Sequence, residues 1–283
     1  MKIAFAIPVL LAGMGLSLPA AGDRIVVICN CSVEAYGEAV QGIRAGLGRE
    51  PEVVEPAALA RRTDAGMYIA VGREALRAAV AARMQAPVVA TMLLKEDAAA
   101  EGTPSAGEVD LDVPPRLLFP EARRLLPGRN RLAILVSGTA DREGLAARAR
   151  EAGFSVLLAE VAAPSDLVRT FSSLKGKADV VLALPSEGIY NSATVKPLIM
   201  ASLECRLPLI GFSPNFVRAG AAAGVFPDFR EIGRQTVEMA LRYDPRLPRK
   251  AEPPRKLAVA VNQKVLRLLG VDYGRADDVV VYR

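Results

Sequence analysis

Short apolar runs alternate along this chain with longer stretches in which apolar residues recur every three or four positions. Arg24-Ile-Val-Val-Ile-Cys29 reads as a strand, and Glu34–Leu47 as a helix with Ala39, Ile43 and Leu47 on one face. Glu52–Val54 and Met67–Val71 read as strands, the latter closed by Gly72, then 73–84 as an Ala-rich helix and 87–91 as a strand. Residues 98–107 are small and polar and read as a loop. The alternation then restarts, with strands at Arg131–Val136, 155–159, 179–184 and 207–211 and helices at 142–152 and 192–204. Ser165 or Asp166 is placed to cap a helix running to Leu174. Residues 228–243 are amphipathic, carrying Ile232, Val237, Met239 and Leu241. The proline-studded stretch 244–254 reads as a semi-rigid connector. Strand 257–261, helix Gln263–Leu269 and the apolar tail Val279–Tyr282 follow it.

Strand–helix alternation is the mark of a parallel sheet with covering helices. Its restart predicts two lobes built alike, joined as a hinged clamp. The expected organisation is a signal peptide at 1–22, an N-terminal lobe from 23–118 plus 257–283, and a C-terminal lobe from 119–256. The tail is assigned to the first lobe because it follows the proline-rich crossing.

Two apolar runs stop abruptly in polar turns: Ala178-Asp-Val-Val-Leu-Ala-Leu-Pro-Ser-Glu-Gly188 and Arg206-Leu-Pro-Leu-Ile-Gly-Phe-Ser-Pro-Asn-Phe216. Runs of this kind are buried parallel strands. Their turns fall at the carboxyl ends, where open α/β sheets bind small ligands.

Composition sharpens the picture in three places. An apolar fraction of 51% over 283 residues is ample for buried cores. Lys2, the apolar stretch 3–16 and the small-residue exit Ser17-Leu-Pro-Ala-Ala-Gly22 form an export signal, with cleavage expected near 20–22. An uncleaved membrane anchor is the competing reading. The net charge of +5 is scattered, its C-terminal cluster is broken by prolines, and aromatics make up only 5%. Nucleic-acid proteins concentrate charge on one face instead, so no nucleic-acid partner is expected.

Histidine is absent altogether, which removes Ser-His-Asp and Cys-His chemistry and the commonest general base. The three cysteines, Cys29, Cys31 and Cys205, have no zinc spacing. A Cys29–Cys31 bridge would span one residue, and Cys205 is expected on the inner face of a helix as a buried thiol. No glycine-rich fingerprint follows the first strand, so no nucleotide cofactor is expected. The Gly42/Gly46 pair reads as packing against the sheet. The chain is therefore read as a binder, with no catalytic residues, no cofactor and no metal.

Several segments resemble the ABC-transporter substrate-binding proteins of the tryptophan/tyrosine-binding type. They are Ala178–Gly188, Pro208-Leu-Ile-Gly-Phe-Ser213, Val217-Arg-Ala-Gly-Ala-Ala-Ala-Gly-Val225, Phe229-Arg-Glu-Ile-Gly-Arg-Gln-Thr-Val237 and Val261-Asn-Gln-Lys-Val-Leu-Arg-Leu-Leu-Gly270. The likeness is good from about 130 to 272 and weaker before. It implies a class I periplasmic binding protein: two Rossmann-like α/β lobes with parallel sheets, a ligand in the cleft, and delivery to a membrane permease. It places ligand groups at Ser32 and Tyr36, Arg73, Thr91, Ser137, Ser186 and Glu187, and Ser213 and Asn215. Glu187 stands where such relatives carry the acidic residue that meets a ligand ammonium.

The chain departs from relatives where they carry an Asp-Pro turn and later a Thr-Gly step. It reads Thr91-Met-Leu-Leu-Lys95 and Gly107-Glu-Val-Asp-Leu111. That replaces polar groups of the first lobe by apolar bulk and points to a more hydrophobic ligand.

Tyr36 and Tyr190 are read as flanking an apolar ligand, or else as covering a core edge. Arg73 opens a helix, where it can meet an anionic group. Ser213 and Asn215 are equally at home as turn residues around Pro214. The expected protein is thus a monomeric periplasmic solute-binding protein with a small-molecule ligand. A sensor or accessory protein reporting to a membrane receptor is the alternative, and a carboxylate hydrolase using Glu187 the third reading.

Overall fold

The computed structural model describes residues 24–61, 65–101, 106–138, 141–186, 188–191 and 193–283. The expected signal peptide lies outside them. Two sheets carry the fold.

The first contains β1 (Ile25–Cys29), β2 (Glu52–Val54), β3 (Met67–Val71), β4 (Val88–Thr91), β5 (Gly107–Val109) and β11 (Lys250–Glu252), all parallel, in the order β11-β5-β4-β3-β1-β2. The second contains β6 (Arg131–Val136), β7 (Ser155–Glu160), β8 (Val180–Ala183), β9 (Leu209–Gly211), β10 (Ala223–Pro227), β12 (Leu257–Asn262) and β13 (Val279–Tyr282), in the order β13-β12-β10-β9-β8-β6-β7. Its pairs are parallel except β10 with β12.

Alternate residues of each strand feed opposite cores. In the first sheet Val27, Cys29, Ile69, Val71 and Val89 pack beneath α1 (Glu34–Leu47) and α9 (Phe229–Leu241). Val26, Ile28, Tyr68, Ala70 and Val88 face the opposite way, beneath α2 (Arg73–Ala81), α3 (Lys95–Glu101) and a 3-10 turn at Pro56–Arg61.

In the second sheet Leu132, Ile134 and Leu182 meet α4 (Pro115–Leu125), α5 (Arg142–Glu151) and α10 (Gln263–Leu269). Ala133, Leu135 and Val181 meet α6 (Leu167–Ser172), α7 (Val195–Glu204) and α8 (Pro214–Ala219). Burial on both faces is why these strands read as unbroken apolar runs.

Local chemistry sets the helix ends. Asp141, Ser213, Asp228 and Asn262 each accept a backbone N–H from the first turn of the helix they precede, and Gly48 and Gly270 end α1 and α10 in the left-handed conformation.

The second half of the chain is wired differently from expectation. The segment after residue 257 does not return to the first sheet: β12 pairs with β10, and β13 extends the second sheet. The fully buried β10 leaves an unpaired edge, and β12 fills it by arriving from the other lobe, hence antiparallel.

Conversely α9, expected in the C-terminal lobe, lies on α1, β4 and β5 of the first. The expected connector contains β11, which adds to the first sheet. Amphipathicity marks a helix as covering a sheet but does not say which one.

The chain thus passes between lobes three times: after β5, between β10 and α9, and between β11 and β12. Gly42 packs against α9 rather than the sheet, since a Cβ there would overlap the Arg230 carbonyl. Gly233 on α9 abuts the Ala39 carbonyl in the same way. The stretch expected as a loop at 98–107 holds the end of α3 and the start of β5. Cys29 and Cys31 are joined in a disulfide, and Cys205 is a free, half-buried thiol capping α7.

Candidate functional site

Both sheets reverse their winding beside one strand: β1 lies between β2 and β3, and β6 between β7 and β8. The crevice outside the carboxyl ends at such a switch point is where doubly wound sheets hold ligands. Ser32 and Tyr36 follow β1, Arg73 follows β3, and Thr91 ends β4. Across the gap, Ser137 follows β6, Ser186 follows β8, and Ser213 and Asn215 follow β9.

These residues are placed at the right ends, but many are spoken for. The Ser32 hydroxyl bonds Asn30 at 2.6 Å. The Tyr36 ring is pressed over Gly72, and burial pushes its hydroxyl pKa up. Arg73 donates to Glu101 at 2.5 Å and to Asp97 at 3.3 Å. With Arg77 also donating to Glu101, that carboxyl is held at about 2. The Thr91 hydroxyl is fully buried and bonds the Val109 carbonyl at 3.2 Å.

Ser137 and Ser186 bond each other across β6 and β8 at 3.1 Å. Ser213 accepts the Phe216 N–H as the cap of α8, and Asn215 accepts from Arg218 at 3.1 Å. Tyr190 stacks among Phe212 and Phe216, at 5.2 and 5.7 Å between ring centres. Its buried hydroxyl has no hydrogen-bond partner among the described residues, and burial pushes its pKa up. Glu187 lies outside the described residues.

The open space lies to one side of this constellation. A cavity of about 400 Å³ separates the lobes, within the size range of small-molecule sites. Its second-lobe wall is Ala183, Leu184 and Pro185 after β8, Phe212 and Ser213 after β9, Val225 on β10, and Leu118 and Leu145 from α4 and α5. Leu94 and Leu111 close it from the first lobe. Two of the three crossings complete it, through Asp112, Val113 and Pro115 on one side and Pro227 and Phe229 on the other.

Among the described residues only Asp112 and Ser213 are polar in this lining, and no lysine or arginine contributes. Of the expected site residues that are described, Ser213 alone lines the cavity. The signal for the others was the apolar pair Leu93-Leu94 after β4 and the alternation of Leu111 and Val113 after β5. Met92, just before, has φ of +61°, a left-handed conformation that costs a non-glycine residue on the order of 1 kcal/mol. It turns the chain from β4 toward Leu94.

A second polar feature underlies Asp112. Asp110 is 1% exposed, and its Oδ1 accepts the Asp112 N–H at 3.0 Å. Its Oδ2 has no hydrogen-bond partner among the described residues, and the nearest cation, Lys95 Nζ, is 3.7 Å away. Burial pushes the Asp110 carboxyl up to about 7 against the opposing pull of Lys95. Asp112 Oδ2 accepts the Lys95 backbone N–H at 2.9 Å, tying the crossing to the start of α3. Elsewhere the lobes touch through Arg218 on α8, which grips Glu34 on α1 in a two-pronged contact of 2.6 and 2.8 Å.

The family model for "ABC transporter substrate binding protein" matches residues 123–273. The chain belongs to that family. Solved structures share its two-lobed fold. The ABC domain in complex with L-Trp from Streptococcus pneumoniae is 16% identical, with a TM-score of 0.57, over 91% of this chain and 99% of that one.

A ligand-free, open substrate-binding protein with adhesive properties from Clostridium difficile is 15% identical, with a TM-score of 0.67, over 92% and 98%. A conserved domain protein from Vibrio cholerae is 18% identical, with a TM-score of 0.57, over 92% and 98%. No curated protein matches the chain. The class I binding-protein fold expected from sequence is the one observed. Among the described residues of this substrate-binding family member, no helix is long and apolar enough to cross a membrane.

Proposed function

We propose that this chain is an exported solute-binding protein that closes its lobes on an apolar small molecule and presents it to the membrane permease of an ABC-type system. The observation that carries this reading is the interlobe cavity, whose walls are leucine, valine, proline and phenylalanine with two polar side chains. Such a surface gains about 25 cal/mol for each Å² of ligand it takes out of water. It offers little to a zwitterion, whose carboxylate would lose hydration with no cationic partner among the described lining residues.

Export rests on the expected signal peptide at 1–22, which places the protein in the periplasm. The lobes are the hinged halves, with the C-terminal tail belonging to the second. Ser213 is the hydroxyl available to a polar ligand atom, while the Ser137–Ser186 pair rims the switch-point end. With no histidine in the chain, capture without turnover is the activity expected.

The test is mass spectrometry of small molecules that copurify with the mature protein, followed by thermal unfolding with each candidate. A ligand at a hundred times its Kd should stabilise the fold by about 2.7 kcal/mol. If no apolar compound from a broad panel or cell extract shifts the transition, the reading fails.

A further inference from the structure

The cavity's polar groups are few enough to restrict the charge of what enters. Among the described residues its one charged lining residue is Asp112, and no lysine or arginine joins it in the lining. The Lys95 backbone N–H occupies Asp112 Oδ2. Asp112 Oδ1 has no partner among the described residues. Directly behind stands Asp110, almost fully buried, with Oδ2 lacking any hydrogen bond. The compensating charge, Lys95, is more than half exposed, so water screens it, and it is not among the described residues of the lining. A ligand in this space therefore meets an apolar body-binding wall with carboxylate at its edge. Among the described residues, the side-chain donor it meets is the Ser213 hydroxyl.

We infer that the ligand class is a hydrophobic amine, its apolar body against Leu118, Leu145, Leu184 and Phe212 and its ammonium beside Asp112. An anionic or zwitterionic ligand would set its own carboxylate near Asp112 with no arginine or lysine in the lining to receive it. An uncharged ligand of the same body would fill the wall but leave Asp112 desolvated with its Oδ1 unpaired, which is the costly outcome for a carboxylate. The inference rests on the cavity being the ligand site.

A matched series separates the two claims. Isothermal titration of the mature protein at pH 7.4 would compare 2-phenylethylamine, 2-phenylethanol and phenylacetate, and the three naphthyl counterparts. The amine should bind about tenfold to hundredfold tighter than the alcohol, the span of one charge-assisted hydrogen bond, and the carboxylate weakest. In Asp112→Asn the amine's preference over the alcohol should collapse.

Equal binding of amine and alcohol, or a carboxylate that binds best, overturns the charge assignment while leaving apolar capture intact. A preference that survives Asp112→Asn overturns it as well. Failure of all six compounds overturns the cavity reading itself. The ranking in the unmodified protein decides the question even if the variant does not fold.

Discussion

Replacing Asp110 by asparagine should flatten the pH dependence of stability between pH 6 and pH 8. The carboxyl is 1% exposed at the end of β5, where the chain first leaves the N-terminal lobe, and its pKa stands at about 7. In the unfolded chain it returns to about 4. A group whose folded pKa is raised binds its proton more tightly when folded. The stability it contributes is complete below about pH 4 and is lost as the pH rises through 7. From pH 6 to pH 8 the unfolded carboxyl is ionised throughout, while the folded one goes from mostly protonated to mostly charged. One proton handled over that interval amounts to about 1.4 kcal/mol. In a chain of this size that is about 2–4 °C in Tm.

Urea unfolding of the mature protein and of Asp110→Asn at pH 6, 7 and 8 gives the comparison. The asparagine Oδ1 can still accept the Asp112 N–H, and the half-exposed Lys95 can turn its ammonium to water. Glu108 and Asp112, the other charges acting on Asp110, are present in both proteins. The variant should gain on the wild type steadily as the pH rises. A stability difference constant to within about 0.3 kcal/mol across the range would refute the argument that burial, and not Lys95, governs this carboxyl.

Gly233→Ala should destabilise the fold by about 1–3 kcal/mol or more, because the new methyl meets the Ala39 backbone and α1 must part from α9; calorimetry reads it, and an unchanged Tm counts against the close crossing. Arg218→Glu should leave Tm nearly unaltered yet weaken ligand binding by up to about fivefold, since Glu34 and Arg218 join the lobes at an exposed site. The swap Glu34→Arg with Arg218→Glu should restore binding, and its failure to do so would remove the pair from closure. Tyr190→Phe should be neutral or stabilise by about 1 kcal/mol, because the lost hydroxyl is buried without a partner among the described residues; a clear loss in urea unfolding would show that the hydroxyl is satisfied.

The first lobe was legible up to β4 because its strands are buried on both faces and its helices carry one apolar stripe each. Element boundaries there matched within a few residues. The second half was readable element by element but not in its wiring. Nothing in Ile232, Val237 and Met239 distinguishes a helix lying on β4 from one lying on β9, and a proline-rich crossing looks the same in either direction. β11 was hidden because three residues between prolines, two of them charged, have no strand pattern until β5 offers an edge. At the site, reasoning from polar residues found the strand ends, and the apolar segments after β4 and β5 pointed to the cavity beside them. Hydroxyls after β1, β6 and β9 prove to be largely occupied by turns and caps. The walls are made by residues such as Leu94, Val113 and Leu145, whose apolar character reads as core.

That the cavity includes two of the three crossings bears on how ligand and closure are linked. Val113 and Pro115 lead from β5 into α4, while Pro227 and Phe229 lead from β10 into α9. A body packed against them touches the segments that must bend when the lobes part. A ligand shifts the open–closed balance only by the difference in its affinity for the two states. On the proposed capture that difference would be built from contacts with the bending segments themselves, since parting the lobes would withdraw Leu94 and Leu111 from one side while Leu184 and Phe212 stayed with the other. A ligand that reaches only the second-lobe wall would bind both states alike and leave the lobes where they were. One long enough to span from Phe212 to Leu94 would hold them closed.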